Sequence, residues 1–108
     1  LGAIPIVTTP EKHDEAAAII SHMPMVLAQA LFLAARENPL AMEMASSGFR
    51  DMTRLALSNE EMACDMISMN AENIEQSILK LYKSMGDLTR GNYPEIITKI
   101  KSERSKMF

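Results

Sequence analysis

The chain has 108 residues, a formal net charge of -3 and an apolar content of 47%. Its length suits one domain, and its acidic balance disfavours a nucleic-acid-binding protein, whose surface is usually basic. The single cysteine, Cys64, excludes an internal disulfide and is typical of the reducing cytoplasm, while ten methionines suit a helix-packed core or a large helical interface.

The chain begins with a short apolar segment, LGAIPIV, whose branched residues favour a strand or an extended arm. Every later segment has the pattern of a helix. Thr9 as a cap, Pro10 at the first helical position and acidic residues in the first turn predict a long helix from about Pro10 to about Glu37. Because no alternating strand pattern follows residue 9, we expect an all-α fold.

The centre of this long helix carries the stretch SHMPM, residues 21–25, inside an otherwise apolar run. Pro24 has no amide to bond the carbonyl of Ile20, so it should bend the helix. Ser21 and His22 lie in the turn before this bend. They either point at a ligand or belong to a kinked core helix with one satisfied histidine.

The apolar run is 20 residues long, which is the length of a membrane span. Ser21, His22, Pro24 and Gln29 interrupt it, and it is flanked neither by tryptophan or tyrosine nor by an asymmetry of basic residues. We therefore expect no membrane span. A helix that is apolar on nearly all sides is buried by its own domain or by a second subunit, so we interpret this one as the central helix of a homodimer.

Beyond Glu37 the sequence predicts a short turn and then four helices. Asn38 and Pro39 end the long helix and open the turn LAMEMA. The signals that begin the four helices are Gly48, the capping-box pair Ser58 and Glu61, Asn70, and Asn92. The helix after Asn70 has an apolar stripe at three- and four-residue steps, formed by Ile74, Ile78, Leu81, Met85 and Leu88, and Gly91 ends it.

The stretch SSGFRDMTR is the second candidate site. Gly48 at a helix start lets the backbone approach a ligand, and the free amides of a first helical turn favour an anion. Arg50 and Arg54 lie one turn apart on one helix face, so together they would form a carboxylate clamp. The alternative is a solvated arginine pair compensated by Asp51 or Glu43.

Other polar residues carry weaker signals. His13 and His22 are nine residues apart, about half a revolution around a straight helix, so they cannot share a metal. No pair of histidines or cysteines has the spacing of a metal site. Cys64 lies among apolar residues and is expected to be a packed thiol. No G-x-G-x-x-G, P-loop or nucleophile-elbow pattern is present.

Three stretches taken in order, TPEKHDEAAAIISHMPMVLAQAL, ASSGFRDMTRLALSNEEM and MNAENIEQSILKLYKSM, resemble the C-terminal helical domain of the prephenate and arogenate dehydrogenases. The resemblance implies that residues 1–8 are a remnant of the last strand, or the linker, of an N-terminal nucleotide-binding Rossmann domain, and that residues 9–108 form a helical dimerisation and substrate-binding domain. In that family hydride moves from the substrate ring to NAD or NADP, carbon dioxide leaves and the ring becomes aromatic, which is a step of tyrosine biosynthesis.

The resemblance also implies roles for individual residues. Arg50 matches the arginine of the GFRD motif and would bind a substrate carboxylate. Ser21 and His22 match the SH of the helical motif and would face the same cleft, with Asp51 and Arg54 in support of Arg50. The nucleotide loop and the histidine that polarises the ring hydroxyl belong to the Rossmann domain, so this chain is expected to be inactive alone and to hold neither catalytic residues nor the cofactor.

Two positions depart from the family pattern. Members that use prephenate commonly have SH-x-PH, and this chain has Met25 in place of the second histidine. We therefore expect arogenate, or both substrates, to be accepted. Ser47 replaces a glycine before GFRD and still permits a tight turn.

Two other functions stay open from the sequence. The chain would be a non-catalytic helical dimerisation module if SHMPM and GFRD are packing features only. A chorismate mutase, which is a small all-α dimer, is less well supported, because it needs converging cationic residues and residues 13–35 contain no lysine or arginine. We expect a cytoplasmic homodimer that binds arogenate or prephenate and neither nucleic acid nor metal.

Overall fold

The structure is a computed structural model and describes residues 7–108 of the chain. This part of the chain contains seven α-helices, one π-helical turn and one 3-10 turn, and no strand. The helices are α1 (Pro10–Ala17), α2 (Met23–Ala35), α3 (Pro39–Met44), α4 (Ser47–Met52), α5 (Glu60–Met69), α6 (Ala71–Arg90) and α7 (Tyr93–Ser105); the π turn is Ala18–His22 and the 3-10 turn is Arg54–Leu57. The all-α prediction is confirmed for these residues, whereas the strand expected in residues 1–8 falls almost entirely outside them.

One continuous helical segment runs from Pro10 to Ala35 and changes its helical type near the centre. In the π turn the amide of Met23 donates to the carbonyl of Ala18, five residues back, so the turn holds one residue more than an α-helical turn. Pro24 then lies in the first turn of α2, where a helix tolerates proline. The sequence predicted a bend at Pro24, and the structure has this wider turn directly before it.

The buried core forms where α6 packs on the π turn. Ala18, Met23 and Ile74 have exposed fractions of 0%, 7% and 3%, and Val26 and Leu81 pack against them. In an uninterrupted α-helix, positions 18 and 23 would lie roughly 140° apart around the axis. The π turn brings both onto the side that faces α6, so the change of helical type creates the core.

Two predictions about helix starts were wrong. The segment LAMEMA belongs to a short helix, α3, because Asn38 caps it by accepting a backbone amide of the first turn at 3.1 Å. The cap of α5 is Asn59, which accepts the amide of Met62 at 3.0 Å. Ser58 donates its hydroxyl to the carbonyl of Leu55 and forms no capping box. Both asparagines supply the acceptor that an orphan amide of a first helical turn needs.

The helix predicted for GFRDMTRLAL is interrupted after its first turns. α4 ends at Met52, and the 3-10 turn follows Thr53. The hydroxyl of Thr53 donates to the carbonyl of Phe49 at 2.7 Å, a bond that commonly bends or ends a helix. The later boundaries are confirmed, since Gly91 ends α6 and Asn92 caps α7.

Much of the apolar surface of this chain is exposed. Its accessible surface is 9143 Å², where a compact monomer of this size exposes about 6,000 Å². Its radius of gyration is 16.1 Å, against about 13 Å for a compact domain of this length. The long helix is apolar and long enough to cross a membrane, with a mean hydropathy of 1.7 over a window that is only 22% buried. Its own domain therefore buries only part of it.

We predict that Ile74 is the main stabilising side chain of the core. Ile74→Ala should lower the free energy of unfolding by about 3 kcal/mol, because it leaves a cavity over the π turn, and Ile74→Val by about 1 kcal/mol. Urea denaturation at a fixed protein concentration measures both. If the two variants unfold at the urea concentration of the unmodified chain, Ile74 is not part of the core.

Candidate functional site

Arg50 and Arg54 line one cavity of about 490 Å³. Its other lining residues are Phe32 from α2 and Asp51, Thr53, Ala56 and Leu57 from α4 and the segment after it. The sequence placed both arginines on one helix. They instead belong to α4 and to the 3-10 turn, and they share the cavity because the chain changes helical type between them.

The charges around this cavity are unevenly paired. The Nε atom of Arg50 lies 3.9 Å from a carboxylate oxygen of Asp51, and both side chains are largely exposed, at 81% and 76%. Such an exposed contact is worth little. Within residues 7–108, no carboxylate is paired with Arg54, and Glu43 is paired with neither arginine. The cavity therefore presents two cations and one partly compensating anion.

An aromatic contact holds the arginine segment against the long helix. The rings of Phe32 in α2 and Phe49 in α4 have their centroids 6.2 Å apart at an interplanar angle of 33°. The 3-10 turn also packs along α2. Beside Gly48, no protein atom lies within 4 Å of the place where a Cβ atom would stand, so the surface before Arg50 is open.

Ser21 and His22 lie at the end of the π turn, with Ser21 exposed and His22 half-buried. Neither residue lines the cavity beside Arg50 and Arg54. One chain therefore does not bring the two predicted site segments into a single pocket.

Asn70 contacts His22, and sequence reasoning missed this contact. Asn70 Nδ2 lies 3.2 Å from His22 Nδ1 and also donates to the backbone carbonyl of Asp14 at 2.9 Å. Asn70 was predicted to cap α6, but its side chain forms no cap bond there. It links the start of α6 to the long helix instead. The sequence around Asn70 did not indicate this contact, because an asparagine that caps its own helix stands at the same position before the helix.

A second cavity, of about 370 Å³, lies between the long helix and α6. Its lining is mostly apolar: Ile19, Met23, Pro24, Leu27, Ser77, Lys80, Leu81 and Ser84. Met25, which was expected to influence substrate choice, has an exposed fraction of 3% and does not line this cavity. Its burial favours a packing role within the chain.

The remaining candidate residues are on the surface. The expectation that Cys64 is packed was wrong, because the face of α5 that carries it is exposed. His13 lies 3.3 Å from the carboxylate of Asp14, and both side chains are exposed. Among residues 7–108, no group of three or more histidine, cysteine, aspartate or glutamate side chains could hold a metal ion.

Residues 9–103 match a protein family described as the dimerization domain of prephenate dehydrogenase. A prephenate dehydrogenase from Lactococcus lactis subsp. cremoris (strain MG1363) is 31% identical over 93 residues, which covers 72% of this chain and 26% of that protein. The chain thus spans about a quarter of the length of this relative.

Two solved structures are similar to this fold. The prephenate dehydrogenase from A. aeolicus, in complex with hydroxyphenyl propionate and NAD+, has a TM-score of 0.85 and 26% identity, covering 99% of this chain and 41% of that one. The Synechocystis arogenate dehydrogenase has a TM-score of 0.78 and 28% identity, covering 95% of this chain and 42% of that one.

We predict that the aromatic contact contributes a measurable coupling energy. In a double-mutant cycle with Phe32→Leu and Phe49→Leu, the coupling between the two positions should be about 1 kcal/mol, as for other aromatic pairs. Urea denaturation of the four proteins measures it. Additive losses would mean that the rings do not stabilise each other.

Proposed function

We propose a function on one premise: the chain belongs to the family of prephenate dehydrogenase dimerization domains. We infer that it acts as the helical domain of a prephenate or arogenate dehydrogenase in tyrosine biosynthesis. In this role it supplies the dimer interface and one wall of the substrate cleft. The observation that carries the proposal is the cavity shared by Arg50 and Arg54.

The chemistry of the cavity suits a small carboxylate. Its volume of about 490 Å³ is within the range of small-molecule sites. A guanidinium group binds a carboxylate through two parallel N–H groups, and two such groups favour a planar anion strongly. Prephenate and arogenate both carry carboxylates. We propose that Arg50 and Arg54 share one of these groups, with Arg54 the freer cation because Asp51 lies beside Arg50.

Ser21 and His22 are proposed to meet the same substrate from the long helix. Both are polar residues in the π turn, and helical irregularities of this kind are frequent at functional sites. Because they do not line the arginine cavity of a single chain, we infer that the cleft is completed by the assembled enzyme. Because Met25 is buried in the single chain, we propose that it influences the choice between arogenate and prephenate through packing and not through direct contact with the substrate.

The cofactor implied by the family is NAD or NADP. A dinucleotide site is built from a strand, a glycine-rich loop and a helix N-terminus, and residues 7–108 contain no strand. These residues do not fit the cofactor. We propose that another domain of the whole protein binds it and carries the redox chemistry, and that this chain alone is inactive. A cytoplasmic location is part of the same proposal.

The homodimer is proposed from the exposed surface. The chain exposes 9143 Å², which exceeds the value for a compact monomer by about 3,000 Å². Interfaces of permanent dimers bury about 2,000 to 5,000 Å² in total, which is about 1,000 to 2,500 Å² for each chain. Large apolar side chains are exposed on the long helix and on α6, among them Ile20, Leu33, Leu79, Tyr82 and Met85. A second copy would cover such faces.

We predict that the chain sediments as a dimer at micromolar concentration. The physical reason is the apolar area described above, which would be exposed in a stable monomer. Sedimentation equilibrium over a range of loading concentrations measures the mass. A chain that is folded by circular dichroism and has the mass of one copy would contradict the proposal.

We predict that the whole enzyme oxidises arogenate or prephenate, and that Arg50→Gln and Arg54→Gln each raise KM. A charge-assisted bond contributes about 1.5 to 3 kcal/mol, so the increase should be about 10- to 100-fold. Absorbance of the reduced nicotinamide, with each substrate and each cofactor separately, measures this. Arg36→Gln is the matched control, since Arg36 follows α2 and does not line the cavity.

Two outcomes would contradict this function. An unchanged KM in both cavity variants, with an intact dimer, would refute the carboxylate clamp. Absence of turnover with either substrate, in a folded and dimeric whole protein, would refute the enzyme and leave a non-catalytic dimerisation module.

A further inference from the structure

Asn70 differs from the other asparagines that precede helices in this chain. Asn38, Asn59 and Asn92 each accept a backbone amide of their own helix, at 3.1, 3.0 and 3.4 Å. Asn70 occupies the same position before α6 and makes no such bond. A cap bond of this kind stabilises the first turn of a helix. The side chain of Asn70 does not form this cap bond and instead contacts the long helix.

The orientation of the Asn70 amide is fixed by its neighbours. The backbone carbonyl of Asp14 can only accept a hydrogen bond, so the group that lies 2.9 Å from it is the Asn70 nitrogen. On the other side, Asn73 Nδ2 donates to Asn70 Oδ1 at 2.8 Å. With the oxygen occupied and one N–H used, the second N–H is directed at His22 Nδ1, at 3.2 Å.

This bond determines which ring nitrogen of His22 carries the proton. Nδ1 accepts from Asn70, so Nδ1 has no hydrogen, and the neutral imidazole has its proton on Nε2. The same bond fixes the rotation of the ring, because Asn70 is itself held by Asp14 and Asn73. Nε2–H is then a donor on the side of the ring that Asn70 does not occupy.

We propose that Asn70 is a positioning residue for His22 and makes Nε2–H a hydrogen-bond donor to an oxygen of the substrate. A carboxylate or carbonyl oxygen accepts such a bond, whereas the opposite tautomer presents a lone pair and repels it. The inference rests on the proposed function, because that function places His22 in the cleft. The bond to Asn70 and the tautomer stand on the geometry of this chain alone.

The first test is spectroscopic and needs no substrate. The whole enzyme is labelled with 15N-histidine, and His22→Gln identifies the signals of His22 by difference. In mildly alkaline buffer we expect an unprotonated Nδ1 and a protonated Nε2. Asn70→Asp, which keeps the shape but only accepts, should move the proton to Nδ1. A protonated Nδ1 in the unmodified enzyme, or a tautomer that Asn70→Asp leaves unchanged, would overturn the proposal.

The second test is kinetic and separates positioning from stability. Asn70→Ala should lower kcat/KM roughly tenfold, the effect of one hydrogen bond, and should have little effect in a His22→Ala background, because the two residues act as a unit. Asn59→Ala is the matched control, since it removes a true cap without touching His22. It should leave kcat/KM unchanged.

The kinetic outcomes distinguish the two proposals. If Asn70→Ala lowers kcat/KM by the same factor in the unmodified enzyme and in the His22→Ala background, Asn70 is structural and the positioning role is overturned. If His22→Ala leaves kcat/KM unchanged, the proposed place of His22 in the cleft is refuted and the positioning role with it. The spectrum then still decides whether Asn70 sets the tautomer.

Discussion

A single missing amide hydrogen organises this fold. Pro24 has no backbone amide to donate to the carbonyl four residues back, and the helix forms a π turn directly before it, at Ala18–His22. That turn places Ala18 and Met23 on one side, and Ile74 of α6 closes over them. The link from Asn70 to His22 is made at the same crossing. The core and the position of His22 thus depend on one residue that has no backbone donor.

The sequence was informative where local chemistry decides the outcome. A helix from Pro10, the end of α6 at Gly91 and the start of α7 at Asn92 follow from caps and breakers, and the structure has them. For the long helix the sequence predicted a bend at Pro24 but not the π turn, which shifts the phase of every later side chain. The role of Asn70 was also beyond local reasoning, since its partners lie 48 and 56 residues away in the chain.

In the candidate site, too, the sequence predicted some features and not others. Residue types and spacing predicted that Arg50 and Arg54 lie together on one helix, whereas they line one cavity from two different elements. The hydroxyl of Thr53 ends α4 between them and turns the chain. Burial could not be predicted either: Met25 and Cys64 are both sulfur-containing residues in helices, and one is buried while the other is exposed. Which helix face meets a neighbour is a tertiary property.

The π turn holds one residue more than an α-helical turn. In evolutionary terms it therefore behaves as a one-residue insertion in an otherwise regular helix. Loss of a single codon between Ala18 and His22 would leave α1 and α2 with the faces they now present, but Pro24 would then lie inside a regular α-helix, where its ring crowds the carbonyl four residues back. The extra residue and the proline are therefore tied together: a shortened turn would also need a residue with a backbone amide at position 24.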